Sequence, residues 1–177
     1  MLSVKEIAEL FRDIPDFPKE GIVFKDVTTV LTHPGALGDA VTHILALLDG
    51  IKFDAVAAIE SRGFMFGGII ADRMNLPLVL IRKPGKLPAD VISEDYTLEY
   101  GTNTIEMHKN SLPQGSKVLI IDDLIATGGT AIAASELIRR DGSDPVAAAF
   151  LMDLLFLGGA QKLIDKGLSV HSLIELD

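Results

Sequence analysis

The residues best suited to chemistry lie in the segment Val118–Ala131. Four apolar residues that predict a buried strand lead into Asp122 and Asp123, and the paired glycines Gly128 and Gly129 follow in a short turn. A helix is predicted to begin at the second of these glycines. Ligands of open parallel sheets bind beyond the carboxyl ends of the strands, so the sequence predicts a site in this segment.

The turn in this segment offers the donors that a phosphate requires. Glycines let consecutive amides point inward, and the N-terminus of the following helix favours an anion. Thr127 and Thr130 add hydroxyl groups. Asp122 and Asp123 repel phosphate but suit sugar hydroxyls or hydrated Mg²⁺. The alternative is that the carboxylates only cap the helix and the glycines only form a turn, which leaves both carboxylates at the strand end unexplained.

These residues must be positioned by a regular framework, and the rest of the chain predicts one. Short apolar runs alternate with segments of helical period, as is typical of an α/β fold with a mostly parallel sheet flanked by helices. Strands are predicted at 54–59, 77–82, 117–122, 145–152 and 170–174, and helices at about 35–49, 64–75, 129–140 and 158–166. With no internal repeat or linker in the sequence, we expect a single domain over residues 1–177.

The N-terminal segment predicts a helix. Ser3 and Glu6 have the spacing of a capping box, and apolar residues then recur at helical spacing from Leu2 to Ile14. Charged residues interrupt this segment, whereas a signal peptide needs an unbroken apolar stretch.

A second segment departs from the strand–helix alternation. Residues 83–93 read as a loop, and 96–100 and 103–108 read as a hairpin around residues 101–102. The loop begins at a basic cluster formed by Arg82, Lys83 and Lys86. An insertion of this length in an α/β core is typical of a lid or binding loop, and the cluster favours a small anionic ligand there over a merely solvated turn.

Composition narrows the classes of function. The net charge is −9, from 16 Lys and Arg against 25 Asp and Glu; nucleic-acid binding instead requires a clustered positive field. The chain has no Cys, which excludes disulfides and thiolate chemistry. No apolar run approaches the roughly 20 residues that span a bilayer. We therefore expect a cytoplasmic protein that binds neither nucleic acid nor a membrane.

The segment Val118–Ala131 resembles the phosphoribosyl diphosphate signature of the type I phosphoribosyltransferases, with its two acidic residues and Ala-Thr-Gly-Gly-Thr run. Residues 17–26, 60–64, and 82–88 with 98–101 are similar to the adenine-specific branch of that family. The resemblance covers about residues 17–131. It implies the type I phosphoribosyltransferase fold, with a small N-terminal hood within about residues 1–34 and a flexible catalytic loop and hairpin at about 83–108.

The resemblance also implies roles for the matching residues. The ribose 5-phosphate would be held by Ala126, Thr127, Gly128, Gly129 and Thr130. The ribose hydroxyls would be held by Asp122 and Asp123. The diphosphate would be met by Ser61, Arg62 and Lys86, with Arg82 reaching it from a neighbouring subunit. The base would be read by the backbone around Val23 and Lys25, with Phe24 stacked on it and Glu99 as the catalytic residue against its imidazole side.

The activity that this resemblance implies is transfer of the phosphoribosyl group of phosphoribosyl diphosphate to adenine, which gives AMP and diphosphate. It further implies a homodimer and a magnesium ion held mainly through substrate and water, with no direct protein ligand. From the residue types alone, Arg62 could equally form a surface ion pair with Glu60 or Asp72, Phe24 could belong to the core, and Glu99 could simply be exposed.

Two other functions remain open at the level of sequence. One is a phosphoribosyltransferase for a 6-oxopurine or a pyrimidine base, since the phosphate motif does not name the base. The other is a non-catalytic regulator that senses phosphoribosyl diphosphate. A metal hydrolase is disfavoured because the four His residues lack a ligand spacing such as H-E-x-x-H, and Ser61 lacks the G-x-S-x-G frame of a nucleophile.

Overall fold

The structure, a computed structural model, describes residues 1–17, 19–21, 23–98 and 101–177. Its helices are α1 (Val4–Glu9), α2 (Thr28–Thr32), α3 (Ala36–Leu47), α4 (Gly63–Met74), α5 (Gly129–Arg140) and α6 (Gly159–Ile164). Its strands are β1 (Arg12–Pro15), β2 (Val23–Asp26), β3 (Ala55–Ile59), β4 (Leu78–Ile81), β5 (Val91–Leu98), β6 (Gly101–His108), β7 (Lys117–Ile125), β8 (Asp144–Leu154) and β9 (Ser169–Leu176).

The central sheet has five parallel strands in the order β4-β3-β7-β8-β9. These are the five strands that the sequence predicts, so the predicted α/β class is confirmed. Every residue of β3 is buried, as expected for a strand covered on both faces. Strand β7 lies at the centre, with β3 on one side and β8 on the other, so the end of β7 faces loops from both halves of the sheet.

Helices cover both faces of this sheet. On one face, α1, α3 and α4 contribute Ile7, Ile44 and Phe66 to one buried cluster. On the other face, α5 and α6 contribute Leu137 and Leu163 to a second cluster. Burial of large apolar side chains on both faces provides most of the driving force for this arrangement.

The N-terminal helix is shorter than the sequence predicts. It begins with the expected capping box between Ser3 and Glu6, but it ends at Glu9, and β1 pairs antiparallel with β2 in a separate two-stranded sheet. The prediction of helical structure as far as Ile14 is therefore wrong. Cross-strand contacts between distant segments, including an ion pair of Arg12 with Asp26, override the local apolar spacing.

The insertion between β4 and β7 is a hairpin, as predicted, but its strands are longer. Strand β5 begins at Val91, five residues before the predicted start at 96, and pairs along its length with β6. Ile105 and Met107 of β6 are buried on the α5 side of the sheet, where Ile92 packs with them. This contact with the core extends β5 into the segment that the sequence assigns to a loop.

Within the described part of the chain, no helix has both the length and the apolar character needed to cross a membrane.

Candidate active site

A cavity of about 430 Å³ opens at the carboxyl ends of β3 and β7. It is lined by Glu60, Ser61, Arg62, Lys83 and the continuous run from Asp122 to Ala131. The tertiary structure thus brings the segment after β3 to the motif after β7, as expected for neighbouring parallel strands. We call this space the phosphate cavity.

The turn after β7 has the geometry of an anion-binding loop. Gly128 adopts φ +82° and forms the N-cap of α5, a left-handed conformation that favours glycine. Among the described residues, no hydrogen bond uses the amide N–H groups of Thr127 to Thr130. These donors, at the N-terminus of a 12-residue helix, are therefore available to a phosphate.

Two glycines of different segments allow the loop to pack tightly. A Cβ on Gly128 would lie 2.8 Å from the carbonyl oxygen of Gly159, and a Cβ on Gly159 would lie 2.7 Å from the amide nitrogen of Gly128 and still closer to the carbonyl oxygen of Ala126. Neither position accepts a side chain without movement of the backbone. The start of α6 thus supports the phosphate loop from behind, a contact that the sequence analysis did not anticipate.

The two aspartates at the end of β7 have different surroundings. Strand β7 continues to Ile125, three residues beyond its predicted end, because it pairs with β8 as far as Asp153. Asp123 is buried and forms an ion pair with Nε of Arg62. Asp122 is partly exposed to the cavity and accepts a hydrogen bond from the amide N–H of Asp123 (2.8 Å). Arg62 thus pairs with Asp123 and not with Glu60 or Asp72.

The pKa of Asp122 lies well above its ordinary value. Asp122 lines the cavity, but the loss of water on burial among protein atoms is the main cause of this raised pKa. The neighbouring Asp123 carboxylate raises the pKa further, and Arg62 only partly compensates. Asp122 is therefore a carboxyl group whose charge is poorly stabilised by the protein alone, which suits it to hydrogen-bond donors or a cation brought by a ligand.

The basic cluster approaches the phosphate cavity through Glu60. One carboxylate oxygen of Glu60 accepts hydrogen bonds from Nε of Arg82 (3.1 Å) and from the backbone N–H of Lys83 (3.0 Å). Burial acts to raise the pKa of Glu60, but these hydrogen bonds outweigh burial and lower it. Lys83 lines the cavity. The side chain of Arg82 is instead held by Glu60 and by the carbonyl of Lys86 (3.2 Å), and neither Arg82 nor Lys86 is among the lining residues.

A second cavity of about 730 Å³ adjoins the first. Val23, Phe24 and Lys25 of β2 line it, and it shares Leu124, Ala126 and Thr127 with the phosphate cavity. We call it the hood cavity. The structure thus places the predicted base-binding residues next to the predicted ribose 5-phosphate site.

The aromatic ring of Phe24 is partly exposed and not part of the core. It contacts the ring of Phe17 edge-to-face, with 5.2 Å between ring centroids. The ammonium group of Lys25 forms an ion pair with Asp13 (2.6 Å). Of these side chains, Phe24 is therefore the one suited to stack on a planar ligand.

The opposite wall of the hood cavity comes from residues that the sequence analysis missed. They are apolar, they lie near the carboxyl ends of β8 and β9, and they include Met152, Leu154, Phe156, Leu157 and Leu176. An apolar run at the end of a predicted strand was the available signal. Only the packing of β8 beside β7, however, shows that these side chains face the hood.

The structure does not test the predicted catalytic role of Glu99 or the predicted magnesium ion held through substrate and water. Glu99 lies outside the described residues, so its place relative to either cavity stays a prediction. In the described ranges, no group of three or more His, Asp or Glu side chains could hold a metal ion directly.

Comparisons with known proteins agree with this geometry. Residues 27–167 match the phosphoribosyl transferase domain family. The chain is 47% identical to the adenine phosphoribosyltransferase of Erythrobacter litoralis over 99% of both chains. It is also similar to the crystal structure of adenine phosphoribosyltransferase from Thermoanaerobacter pseudethanolicus (TM-score 0.94, 45% identity, 98% and 100% coverage). The Saccharomyces cerevisiae enzyme, complexed with adenine and an imino-altritol bisphosphate, has a TM-score of 0.89 at 36% identity, with 96% and 97% coverage.

Proposed function

The chain belongs to the adenine phosphoribosyltransferases, and on this premise we propose that it transfers the 5-phosphoribosyl group of phosphoribosyl diphosphate to adenine, giving AMP and diphosphate. It is thus a nucleotide-binding transferase of purine salvage. The observation that carries the proposal is the pair of adjoining cavities, one polar and one apolar, which share Leu124, Ala126 and Thr127. A nucleotide has the same two parts, a phosphorylated sugar and a flat base.

The phosphate loop would bind the ribose 5-phosphate. The unused amides between Thr127 and Thr130 and the start of α5 supply donors and a favourable dipole; the residues proposed here are Ala126, Thr127, Gly128, Gly129 and Thr130. Asp122 and Asp123 would accept hydrogen bonds from the ribose hydroxyls. Such hydrogen bonds favour the ionised form of Asp122 and would offset the burial that raises its pKa.

The diphosphate would lie toward the segment after β3. Ser61 and Arg62 line this end of the phosphate cavity, and Arg62 keeps its two terminal guanidinium nitrogens free of hydrogen bonds to other described residues. A guanidinium fork matches phosphate oxygens well. We also assign diphosphate contacts to Lys86 and to Arg82, the latter from a neighbouring subunit. For this contact, the guanidinium of Arg82 would have to leave Glu60 and the carbonyl of Lys86, which hold it in this structure.

The base would bind in the hood cavity, stacked on Phe24 and read by the backbone of Val23 and Lys25. The reaction forms a bond between a ring nitrogen of adenine and the anomeric carbon of the sugar, and it breaks the bond from that carbon to the diphosphate oxygen. Positive charge develops on the sugar meanwhile, as in glycosyl transfer. The departing electron pair remains on diphosphate, where cationic side chains stabilise it. We propose that Glu99 stabilises the proton on the base or removes it.

Magnesium fits this site as an ion bound mainly by substrate and water. Asp122 and Asp123 offer carboxylate oxygens at the cavity, and their mutual repulsion leaves negative charge that Arg62 only partly balances. These two residues would hold the ion's water shell. When bound, the ion neutralises charge that develops on the diphosphate.

We propose further that residues 1–177 act as one phosphoribosyltransferase unit and that the protein is a homodimer in the cytoplasm. The hood would lie within about residues 1–34 and the catalytic loop and hairpin within about 83–108. The dimer is supported by the family resemblance and is tested by light scattering, where a mass near twice the 19.0 kDa chain is expected.

The decisive assay measures AMP formation from adenine and phosphoribosyl diphosphate with Mg²⁺, in parallel with hypoxanthine, guanine, xanthine and uracil. We expect turnover that depends on adenine and Mg²⁺ and exceeds that with every other base. Preference for another base would retain the phosphate site and refute the assignment of the hood. Binding of phosphoribosyl diphosphate without any turnover would favour a sensor.

A further inference from the structure

We propose that Lys162 is a positioning residue that orients the phosphate loop for the sugar phosphate. This inference rests on the proposed function of the same site. Lys162 lies in α6, 35 residues after the loop in sequence, and its ammonium group donates a hydrogen bond to the carbonyl oxygen of Thr127 at 3.0 Å. It is not among the residues that line the phosphate cavity, so it acts on the loop from outside.

The geometry of one peptide unit explains the effect. The carbonyl of Thr127 and the amide N–H of Gly128 belong to the same peptide, which is trans, so the two groups point in opposite directions. A cation that holds the carbonyl therefore also fixes the direction of the Gly128 N–H, which points away from Lys162. That N–H has no hydrogen-bond partner among the described residues, and Gly128 lines the cavity.

The hydrogen bond from Lys162 also makes the N–H of Gly128 a stronger hydrogen-bond donor. An ammonium group bound to a carbonyl polarises the peptide and makes its N–H a better partner for an anion. Lys162 thus makes the phosphate site more favourable to an anion by polarising the backbone, although it does not line the cavity.

Helix α6 is held close enough to the loop for this role. Its first residue, Gly159, contacts the loop backbone at Ala126 and Gly128 with no room for a side chain. Lys162 is one turn further along the same helix, so the loop is supported at two points by α6. One support is a backbone contact and the other is a charged hydrogen bond.

The test compares the wild-type protein with Lys162→Met, which keeps most of the length of the side chain but removes its hydrogen-bond donor and its charge. Lys162→Arg keeps both the hydrogen-bond donor and the positive charge. Lys166→Met is the matched control, because Lys166 is a nearby exposed lysine. Its ammonium group pairs with Glu136 (2.8 Å) and not with the phosphate loop. Dissociation constants for ribose 5-phosphate and for diphosphate are measured by calorimetry, together with the KM for each substrate.

For Lys162→Met we expect the Kd for ribose 5-phosphate and the KM for phosphoribosyl diphosphate to rise about tenfold, the effect of one charge-assisted hydrogen bond. The Kd for diphosphate, the KM for adenine and the Tm should stay near the wild-type values. Lys162→Arg should recover most of the affinity for ribose 5-phosphate, and Lys166→Met should match the wild type.

Three results would overturn the inference: unchanged ribose 5-phosphate affinity in Lys162→Met, an equal loss in Lys166→Met, or an equal loss for diphosphate. The first would show that the loop needs no such support, and the others would show a general effect of charge or stability. Should Lys162→Met fail to fold, Lys162→Gln replaces it in the same comparison. The calorimetric readout does not require turnover, so a wild-type protein that binds ribose 5-phosphate but makes no AMP would refute the proposed function and leave this test intact.

Discussion

The phosphate cavity and the hood cavity adjoin each other but are built in different ways. The phosphate cavity is lined mostly by one continuous segment, residues 122–131, with a few residues that follow β3 and β4. The hood cavity is made mostly of apolar side chains that come from β2 and from the ends of β8 and β9. The phosphate cavity suits a charged, phosphorylated group, and the hood cavity suits a flat ring.

Two aspartates, one in the hood but outside its cavity and one in the phosphate cavity, show the difference most clearly. Asp26, at the end of β2, is buried and accepts hydrogen bonds from Thr28 and Arg12, which lower its pKa to about 2. Asp122, in the phosphate cavity, has a pKa shifted the other way because burial and Asp123 outweigh its favourable contacts. A carboxylate whose charge is stabilised by hydrogen bonds and cations of the protein stabilises the fold. A carboxylate that lacks enough of these partners is available to a ligand.

The largest effect is expected from Asp122→Asn, which keeps the shape of the side chain and removes its charge. We expect kcat/KM for phosphoribosyl diphosphate to fall about 100-fold, the scale of losing one electrostatic group from an active site. Steady-state kinetics with adenine in excess measures it.

Asp26→Asn is the control for this experiment, because it removes a buried aspartate from the other region. Its kcat/KM should stay within about twofold of the wild type. Comparable losses of activity in the two variants would break the distinction between a ligand-binding and a structural carboxylate.

The next effect is expected from Phe24→Ala. Loss of a stacking ring should raise the KM for adenine roughly tenfold or more, since stacking of a base on an aromatic side chain contributes about 1–3 kcal/mol, while the KM for phosphoribosyl diphosphate changes little. Phe17→Ala removes the ring that packs edge-to-face on Phe24 but does not line the hood cavity, so its effect on the KM for adenine should be smaller. A larger effect at Phe17 would indicate that the base does not stack on Phe24.

Replacing Asp122 and replacing Asp26 should change Tm in opposite directions, and each change should depend on pH. The folded-state pKa of Asp122 is raised, so this group costs stability above its unfolded value of about 3.9. Asp122→Asn should therefore raise Tm by about 3 °C at pH 8, and this gain should vanish as the pH falls to about 3.9.

Asp26 has the opposite sign, since its pKa is lowered to about 2. Its stabilisation is complete above about pH 3.9 and is lost as the pH falls toward 2. Asp26→Asn should lower Tm by about 3 °C at pH 7, and this deficit should narrow as the pH falls to 3. Scanning calorimetry between pH 3 and 8 measures the Tm of both variants. Differences in Tm from the wild type that have the same sign in both variants would contradict the assigned pKa shifts.

The smallest effect is expected from Lys25→Met. The ammonium group of Lys25 pairs with the exposed Asp13, and such surface ion pairs contribute little. If the backbone of Lys25, and not its side chain, contacts the base, Lys25→Met should change the KM for adenine by less than about twofold. A tenfold rise would assign the base contact to the side chain instead.

The comparison of the two cavities also separates what the sequence predicted well from what it did not. The segment from Val118 to Ala131 contains its strand, its turn glycines and its helix start within 14 residues, so the phosphate loop could be predicted from local rules. The five core strands were predicted for a similar reason, because each is a short apolar run. The hood was predicted less well: its helix prediction extended five residues too far, since the pairing of β1 with β2 is a long-range interaction.

The sequence by itself determined the α/β class, the five core strands and the position of a phosphate-binding turn, because each depends on residue types and spacings within one short segment. The tertiary structure alone decided that Arg62 pairs with Asp123, that Gly159 and Lys162 support the phosphate loop, and that the ends of β8 and β9 close the hood cavity. These contacts join residues 30 or more positions apart. Local spacing does not encode such distances, and only the order of the strands and the packing of helices on the sheet bring these groups together.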